Sequence, residues 1–181
     1  MDAIVLRGPR VLLRGWQPVD SGPFAALNAD PVAMEFFPAP LSPAESDAMI
    51  TRLQGGLETR GWGLWCLDID GDCAGFVGLA RPAFDAPFTP CVEVGWRMAT
   101  RYWGHGYATE AARLALEFGF RQLGLTEIVS FTTAGNWRSR RVMERLGMRR
   151  DPADDFDHPR IAVGHPLRPH VLYRIKSTQL P

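Results

Sequence analysis

Alternating apolar and polar positions predict short strands along much of the chain. In residues 4–16 apolar side chains alternate with arginines around a Gly-Pro pair, which indicates two short strands or one kinked strand. The apolar runs 62–69 and 73–81 flank Asp70-Gly71, a dipeptide favoured in tight turns because both positions tolerate positive φ. These two runs predict a hairpin, and the runs 92–98, 128–133 and 171–175 predict three further strands.

Helical spacing accounts for the segments between these strands. Residues 18–28 have a helical pattern, and Ser42, Pro43 and Glu45 form a capping box with proline at the first helical position, so a second helix should reach residue 55 or 60. In residues 107–123 alanines recur every three or four positions, opposite a charged face, which predicts a long helix that packs closely on a sheet. The last helix should span residues 136–146, with Asn136 as its cap.

Composition and length place these elements in one globular unit. The chain has 181 residues, of which 46% are hydrophobic and 22% charged, and this balance is typical of a folded protein. We therefore expect residues 1–181 to form a single domain of the α+β class. Twenty basic residues balance twenty acidic ones, so counterion release offers no drive toward nucleic acid as the main partner.

Other features of the sequence bear on the cellular compartment and on the presence of disulfides or metal sites. No signal-peptide pattern and no run of about 18 apolar residues occurs, so we expect a cytoplasmic protein without a membrane partner. Three cysteines without a CxxC pair predict buried thiols rather than a disulfide framework or a zinc site. The histidines lack metal-ligand spacing, so no metal is expected.

The most informative segment is a glycine-rich loop, residues 101–110, between a predicted strand and the long helix. Such a loop gathers unpaired N–H groups and the positive helix end at one point, which favours phosphate binding. A P-loop would require Gly-Lys-Ser/Thr, which is missing here. A dinucleotide fingerprint would require a third glycine where Thr109 stands, and a carboxylate ending the next strand, whereas Glu127 begins it.

The remaining pattern, R-x-x-G-x-G-x-A, resembles the acyl-CoA pyrophosphate loop of the GCN5-related N-acetyltransferases, the GNAT superfamily. Residues 136–148, NWRSRRVMERLGM, resemble a segment of its ribosomal-protein-alanine N-acetyltransferase branch, the RimJ and RimL-like enzymes. The strand Glu93-Val-Gly95-Trp96 is similar to the family's E-I-G-Y/W strand. The resemblance implies the GNAT fold, a mixed twisted central sheet that is splayed at its middle and has helices on both faces.

The same resemblance implies acetyl-CoA as the cofactor. The strand at residues 92–98 should bend outward near Gly95 and leave main-chain groups unpaired for the pantetheine arm, while the glycine-rich loop should hold the pyrophosphate. The residues expected to bind the cofactor are Val94, Gly95, Trp96, Met98, Arg101, Trp103, Gly104, His105, Gly106, Tyr107, Ala108, Thr109, Asn136 and Ser139.

Acetyl transfer to an amine requires a base, an oxyanion donor and a proton for the departing thiolate. The resemblance assigns the base to Glu93, with a main-chain N–H near Val94 or Gly95 as oxyanion donor. Ser139 is our candidate to assist the thiolate, because many relatives use a tyrosine where this chain has Met143. Simpler interpretations stay open, with Glu93 as a solvated strand carboxylate and Ser139 as a capping hydroxyl.

The acceptor is expected to be an amine-bearing small molecule or a protein N-terminus. An α-amine with a pKa of roughly 7.7–8 is deprotonated more easily than a lysine near 10.4, which suits a weakly placed base. Candidate acceptor-site residues are Phe36, Phe37, Trp65, Asp155, Asp157 and His158, although core packing and a solvated loop are the alternatives. Met143 also favours a second hypothesis, a CoA-binding sensor that has lost turnover. A homodimer is left open.

Overall fold

The computed structural model describes residues 4–179 and contains one continuous sheet with four α-helices. Within these residues the strands are β1 Leu6–Arg7, β2 Leu12–Arg14, β3 Leu64–Ile69, β4 Asp72–Ala80, β5 Glu93–Met98, β6 Glu127–Thr133, β7 Arg149–Arg150, β8 Phe156–Asp157 and β9 Pro169–Lys176. The helices are α1 Ser21–Ala29, α2 Pro43–Arg60, α3 Tyr107–Arg121 and α4 Trp137–Arg145.

The sheet is mixed and separates at its middle. Its strand order is β1-β2-β3-β4-β5-β6-β9-β7, with β8 also paired to β9. Each neighbouring pair is antiparallel except β5 and β6, which are parallel and meet only at Glu93 and Val129. Because β5 continues to Met98 and β6 to Thr133 without further pairing, the two halves of the sheet diverge beyond this point.

Helices cover both faces of the sheet. Phe24 of α1 packs against Phe76 of β4, with ring centroids 6.3 Å apart. On the opposite face Trp65 of β3 packs edge-on against Phe118 of α3, with centroids 5.5 Å apart. The alanines that predicted close packing of α3 are buried, and a Cβ at Gly119 would lie only 2.7 Å from Ile128. This arrangement confirms the predicted fold class.

Most of the predicted helix and strand boundaries agree with the structure to within a few residues. The Ser42 hydroxyl accepts from the Glu45 N–H at 3.3 Å, and the Ser42 N–H donates to the Glu45 carboxylate at 2.8 Å, so α2 begins with the predicted capping box and extends to Arg60. The sequence did not predict β7 and β8. Each has two residues, too few to show a periodic pattern.

None of the helices in residues 4–179 combines the length and the apolar composition that crossing a bilayer requires. Cys66 and Cys73 are buried and Cys91 is half-buried, all with free thiols. Ligand atoms of Asp20, Cys66 and Cys73 lie within 4.8 Å of one another. The Asp20 carboxylate, however, accepts hydrogen bonds from the Arg14 guanidinium at 2.7 and 2.8 Å, and this cation disfavours a metal ion there.

Candidate active site

A cavity of about 710 Å³ opens where β5 and β6 diverge. It lies between the two halves of the sheet and reaches the start of α3, the first turns of α4 and the segment between α1 and α2. The expected site residues that line it are Glu93, Val94, Gly95, Trp96, Met98, Trp103, Gly104, Gly106, Ala108, Thr109, Asn136, Ser139, Phe36, Phe37 and His158.

The main chain of β5 presents polar groups to this cavity. The Val129 N–H donates to the Val92 carbonyl at 3.0 Å, so Val92 faces β6, and the two-residue alternation of a strand directs the groups of Val94 and Trp96 the same way. The Gly95 groups face β4, where Gly95 pairs with Gly78. Gly95 N–H is therefore turned away from the gap, so of the two expected oxyanion donors only the Val94 N–H faces it.

Glu93 is the residue of β5 that pairs with β6, and the two strands separate directly after it. Its side chain lines the cavity and is mostly buried, and within residues 4–179 the carboxylate has neither a hydrogen-bond donor nor an ion-pair partner. Burial disfavours the charged form and raises the pKa of Glu93 from an ordinary 4.5 to about 7. A carboxyl group with this pKa accepts a proton near neutral pH, so the solvated-carboxylate interpretation does not fit its position.

The glycine-rich loop ends at an open helix terminus. Gly104 and Gly106 have φ of 83° and 82°, the left-handed region that glycine adopts without strain. Gly106 is the N-cap of α3, and because glycine has no side chain, no capping oxygen covers the first-turn N–H groups. These donors and the helix dipole make the terminus suitable for a phosphate group.

Three expected cofactor residues of this loop lie outside the cavity wall. The Arg101 guanidinium stacks on the Tyr102 ring at 4.7 Å, and His105 is exposed. The Tyr107 ring lies beneath the Arg10 guanidinium, 5.0 Å away. Side-chain contact of Arg101, His105 or Tyr107 with a ligand in the cavity is therefore not supported.

Arg10 is a supporting residue that the sequence did not reveal. It pairs with Glu110 of α3 at 2.7 Å and donates to the His105 carbonyl at 3.0 Å. These contacts fix the loop against the helix from a position about 100 residues away in sequence, which no local pattern could indicate.

Ser139 and Asn136 form the first turn of α4. The Asn136 side chain accepts from the Ser139 N–H at 3.2 Å and donates to the Ser139 hydroxyl at 3.1 Å. Because the hydroxyl accepts this bond, its own proton remains free to donate toward the cavity. The capping and the catalytic interpretations of Ser139 are therefore compatible, and Met143 lines the same wall.

Several acceptor-site predictions were wrong. Trp65 is fully buried between β3 and α3, and its ring N–H donates to the Ile4 carbonyl at 3.0 Å. Asp155 forms an ion pair with Arg150, and Asp157 pairs with Arg168 at 3.1 Å. Both carboxylates are thus neutralised within their own loop and do not line the cavity, so they offer no free negative charge to a cationic amine.

His158 does reach the cavity, but in an apolar setting. Its ring packs 4.7 Å from that of Phe84 and 5.0 Å from that of His170. Burial, reinforced by His170 and two nearby arginines, lowers the pKa of His158 to about 4. The ring is therefore neutral at physiological pH and contributes shape rather than charge.

Arginines give the cavity its charge. Arg138, Arg141 and Arg145 of α4 line it, together with Arg160. The Arg138 guanidinium lies 4.5 Å from the Trp103 ring and pairs with Glu35, so it bridges α4 to the segment that follows α1. Arg97 of β5 also lines the cavity, and the sequence interpretation missed it. Its signal was a second charged residue, beside Glu93, in a strand of mostly apolar residues.

A splayed mixed sheet beside a loop suited to phosphate is the arrangement expected of a GNAT acetyltransferase. Comparisons with known proteins agree with this expectation. The sequence model described as "Acetyltransferase (GNAT) domain" matches residues 10–149. The chain therefore belongs to the GNAT acetyltransferase family.

Individual relatives show how far this similarity extends. The chain is 33% identical over 129 residues to an FsC-acetyl coenzyme A-N(2)-transacetylase of Aspergillus fumigatus, a match that spans 67% of this chain and 55% of that protein. An acetyltransferase structure from Bacillus anthracis has a TM-score of 0.78 at 22% identity, covering 96% and 98% of the two chains. Mycobacterium smegmatis RimJ in complex with CoA-disulfide has a TM-score of 0.72 at 20% identity, covering 98% and 88%.

Proposed function

We propose that this protein transfers the acetyl group of acetyl-CoA to a primary amine, directly and within a ternary complex. The observation that carries the proposal is the position of Glu93, a mostly buried carboxyl group with a pKa of about 7 where the sheet opens into the cavity. The A. fumigatus relative supports the activity because its name describes an acetyl coenzyme A transacetylase.

The residues of the cavity fit coenzyme A. The open N-terminus of α3 offers N–H donors to the pyrophosphate, and Arg141 and Arg145 add positive charge along the same wall. The main-chain groups of Val94 and Trp96 face the gap and suit the amide groups of the pantetheine arm. The RimJ structure supports this assignment, since a CoA derivative is bound to the same fold.

Acetyl-CoA supplies an activated acetyl group as a thioester. During transfer the amine nitrogen bonds to the acetyl carbon, the carbon–sulfur bond breaks and the sulfur leaves with the bonding electron pair. In this proposal Glu93 accepts the proton that the amine must lose, directly or through water. The Ser139 hydroxyl donates to the departing sulfur, which a thiol pKa of about 8.5 makes a tolerable leaving group even with weak help.

The cysteines favour direct transfer over an acyl-enzyme. Cys66 and Cys73 are buried away from the cavity wall. Burial, together with the charge of Glu93, raises the pKa of the Cys91 thiol to about 11. A thiol with this pKa is almost entirely protonated at neutral pH and is a poor nucleophile.

The proposed acceptor is a small amine or a protein N-terminus, and membership of the RimJ and RimL-like branch stays a prediction. The alternative is a CoA-binding sensor without turnover, favoured by Met143 in place of a tyrosine donor. Release of free thiol from acetyl-CoA, measured with a panel of amines and peptides, separates the two hypotheses. Release that depends on the amine, and is lost in Glu93→Gln, supports the enzyme.

Binding and turnover must be measured on the same samples. Acetyl-CoA should raise the melting temperature of both the wild type and Glu93→Gln, whereas ATP and NAD should not. A sensor would show the thermal shift without thiol release for any amine. Loss of the thermal shift in Glu93→Gln would place Glu93 in cofactor binding instead of catalysis and contradict its proposed role.

A further inference from the structure

Arg97 is a partly buried cation with no counter-ion in residues 4–179. It lines the cavity, its Nη1 donates to the Asn28 side-chain carbonyl at 2.7 Å, and its Nε is buried with no hydrogen-bond partner. No carboxylate within residues 4–179 pairs with it. A guanidinium has five N–H donors arranged to bind a planar anion, and most of those on Arg97 are unused.

The surroundings of Arg97 are apolar. The guanidinium carbon lies 4.0 Å from the centroid of the Phe37 ring and 5.4 Å from that of Phe76, and the Met49 sulfur is 4.0 Å from Nη1. Burial lowers the pKa of Arg97 to about 10, so the group is still charged at neutral pH. A desolvated charge of this kind is costly to the folded protein unless an anion joins it.

A buried hydrogen-bond chain holds the guanidinium in place. Asn28, which accepts from Arg97, donates from its own Nδ2 to the Ser46 hydroxyl at 2.9 Å, and both of these residues are 0% exposed. The residue that fixes Arg97 is therefore a neutral amide. It supplies orientation without neutralising the charge, which leaves the cation available to a ligand.

Arg97 and Glu93 share one face of β5, with Gly95 between them. Side chains two and four residues apart in a strand point the same way, and here they point toward α1 and α2. A Cβ at Gly95 would meet nothing within 4 Å, so the space between the carboxyl group and the guanidinium is open. The two Cα atoms are separated by about 13 Å, from a rise of about 3.3 Å per residue.

The phosphates of the cofactor are not the natural partner of Arg97. The helix α3, whose N-terminus suits the pyrophosphate, packs on the face of the sheet opposite α1. Arg97 contacts α1 through Asn28 and α2 through Met49. Its free donors thus lie on the side of the cavity that the acceptor would use.

We propose that Arg97 binds a carboxylate of the acceptor, so that the substrate class is a small amine that also carries a carboxylate and an apolar body. This inference rests on the proposed function and specifies its acceptor. The Phe36 and Phe37 rings form the apolar wall, Arg97 holds the acid and Glu93 receives the proton of the amine.

The first test compares matched acceptors. Thiol release from acetyl-CoA is measured with α-amino acids and longer ω-amino acids, each against its amide. We expect higher kcat/KM for the acids in the wild type, and a loss of about 30-fold or more for the acids in Arg97→Met, with less than about threefold change for the amides. Arg121→Met removes an exposed arginine at the end of α3 and should change neither. An equal loss on acids and amides, or none, would overturn the proposal.

A second variant tests the charge without removing Arg97. In Asn28→Asp the new carboxylate takes the place of the side-chain carbonyl that accepts from Arg97 Nη1. The protein itself then supplies the negative charge that neutralises the guanidinium. The preference for acids over amides should fall at least tenfold, while the melting temperature of the unliganded protein stays equal or rises. A merely structural role for Arg97 predicts an unchanged preference, and that result would refute the proposal.

A binding measurement separates failure of this inference from failure of the proposed function. N-acetylated amino acids and their amides, which mimic the product, are titrated calorimetrically into the protein saturated with CoA. Tighter binding of the acids by the wild type but not by Arg97→Met supports the carboxylate site even if no amine is acetylated. Equal binding of acids and amides by the wild type, or weakened binding of CoA itself by Arg97→Met, overturns it.

Discussion

Two arginines of the sheet, the buried Arg14 and the partly buried Arg97, mark two regions of this molecule. Charge pairing stabilises the first region and is missing from the second. Arg14 of β2 donates to Asp20 at 2.7 and 2.8 Å and to Asp68 at 2.7 Å, so its charge is compensated twice. The partners of Arg97 of β5 are uncharged, an amide, a thioether and two aromatic rings. Glu93, four residues earlier on the same face, has no hydrogen-bond or ion-pair partner in the described chain. Buried charges are costly, so the unpaired ones mark where a ligand is expected.

The pKa values of the two regions differ accordingly. The hydrogen bond to Asp20 raises the pKa of Arg14, and although burial opposes ionisation of Asp20, the bonds from Arg14 lower the pKa of that carboxyl. At the cavity burial acts alone, lowering the pKa of Arg97 to about 10 and raising that of Glu93 to about 7. Charge pairing therefore stabilises the first region, and the proposed function assigns reactivity to the second.

The largest expected effect comes from breaking the paired region. Arg14→Met leaves the carboxylates of Asp20 and Asp68 without their cation, which should lower the free energy of unfolding by about 3–5 kcal/mol. For a protein of this size the melting temperature should drop on the order of 10 °C. Urea denaturation followed by circular dichroism measures the change, and a drop below about 1 kcal/mol would contradict the contrast drawn here.

The second effect concerns Glu93 and depends on pH. Because its folded pKa of about 7 exceeds the ordinary 4.5, the native state binds the proton more tightly, and stability falls as pH rises from about 4.5 to 7. Glu93→Gln removes this penalty, so the variant should be more stable than the wild type by about 2–3 kcal/mol at pH 8 and equal to it near pH 4. Parallel thermal melts across this range measure the difference, and a variant less stable at pH 8 would refute the assigned pKa.

The same carboxyl group sets the expected pH profile of the reaction. The basic form of Glu93 is the active one in our proposal, so kcat/KM should rise as pH increases through about 7. In Glu93→Gln this rise should disappear and the rate should fall by roughly 10²–10⁴-fold. If the substitution leaves the pH profile unchanged, the rise in kcat/KM comes from deprotonation of the amine substrate and not of Glu93.

A smaller effect is expected at Ser139. Ser139→Ala removes the hydroxyl that accepts from Asn136, but the Ser139 N–H can still donate to the Asn136 cap. We expect about a tenfold loss of kcat, or about 1.4 kcal/mol, with little change in the melting temperature. Ser139→Thr, which keeps a hydroxyl, is the matched control, and equal losses in both variants would show that the hydroxyl proton is not what matters.

The smallest expected change is the effect of Arg97→Met on the stability of the unliganded protein. Removing a partly buried cation that has no counter-ion relieves its desolvation cost and leaves the Asn28 carbonyl without a donor, and these two terms nearly cancel. The free energy of unfolding should stay within about 1 kcal/mol of the wild type in chemical denaturation. A loss as large as that of Arg14→Met would show that Arg97 is a structural residue.

The features that could be predicted from the sequence are those that short local motifs encode. The glycines of the phosphate-suited loop, the capping residues of α2 and α4, and Glu93 on its strand all lie in short motifs, and the structure brings most of these residues to one cavity. The splay of the sheet was predicted through the resemblance, because it depends on pairing between strands that lie far apart in the chain.

Contacts between distant segments account for what the sequence missed. Asn28 and Arg97 are 69 residues apart, and Arg10 and Glu110 are 100 apart, so neither pair leaves a local signature. Trp65 was expected at the acceptor site because large aromatics suit either a core or a wall, and only the packing of α3 decides between them. The carboxylates of Asp155 and Asp157 were expected to be free, but they pair with Arg150 and Arg168, and the sequence alone does not show which arginines turn toward them.

Because β5 and β6 separate after a single pairing, the gap between them exposes both main-chain groups and side chains. In the proposed function these two kinds of group recognise different ligands. In the proposed function coenzyme A is held largely by peptide groups and a helix end, which most side-chain substitutions leave in place. The proposed acceptor, by contrast, would be selected by individual side chains such as Arg97 and Phe37, which can be exchanged one at a time. If these roles hold, such a scaffold can acquire new acceptors by point mutation while its donor stays the same, and these few positions are the natural targets for redesigning its specificity.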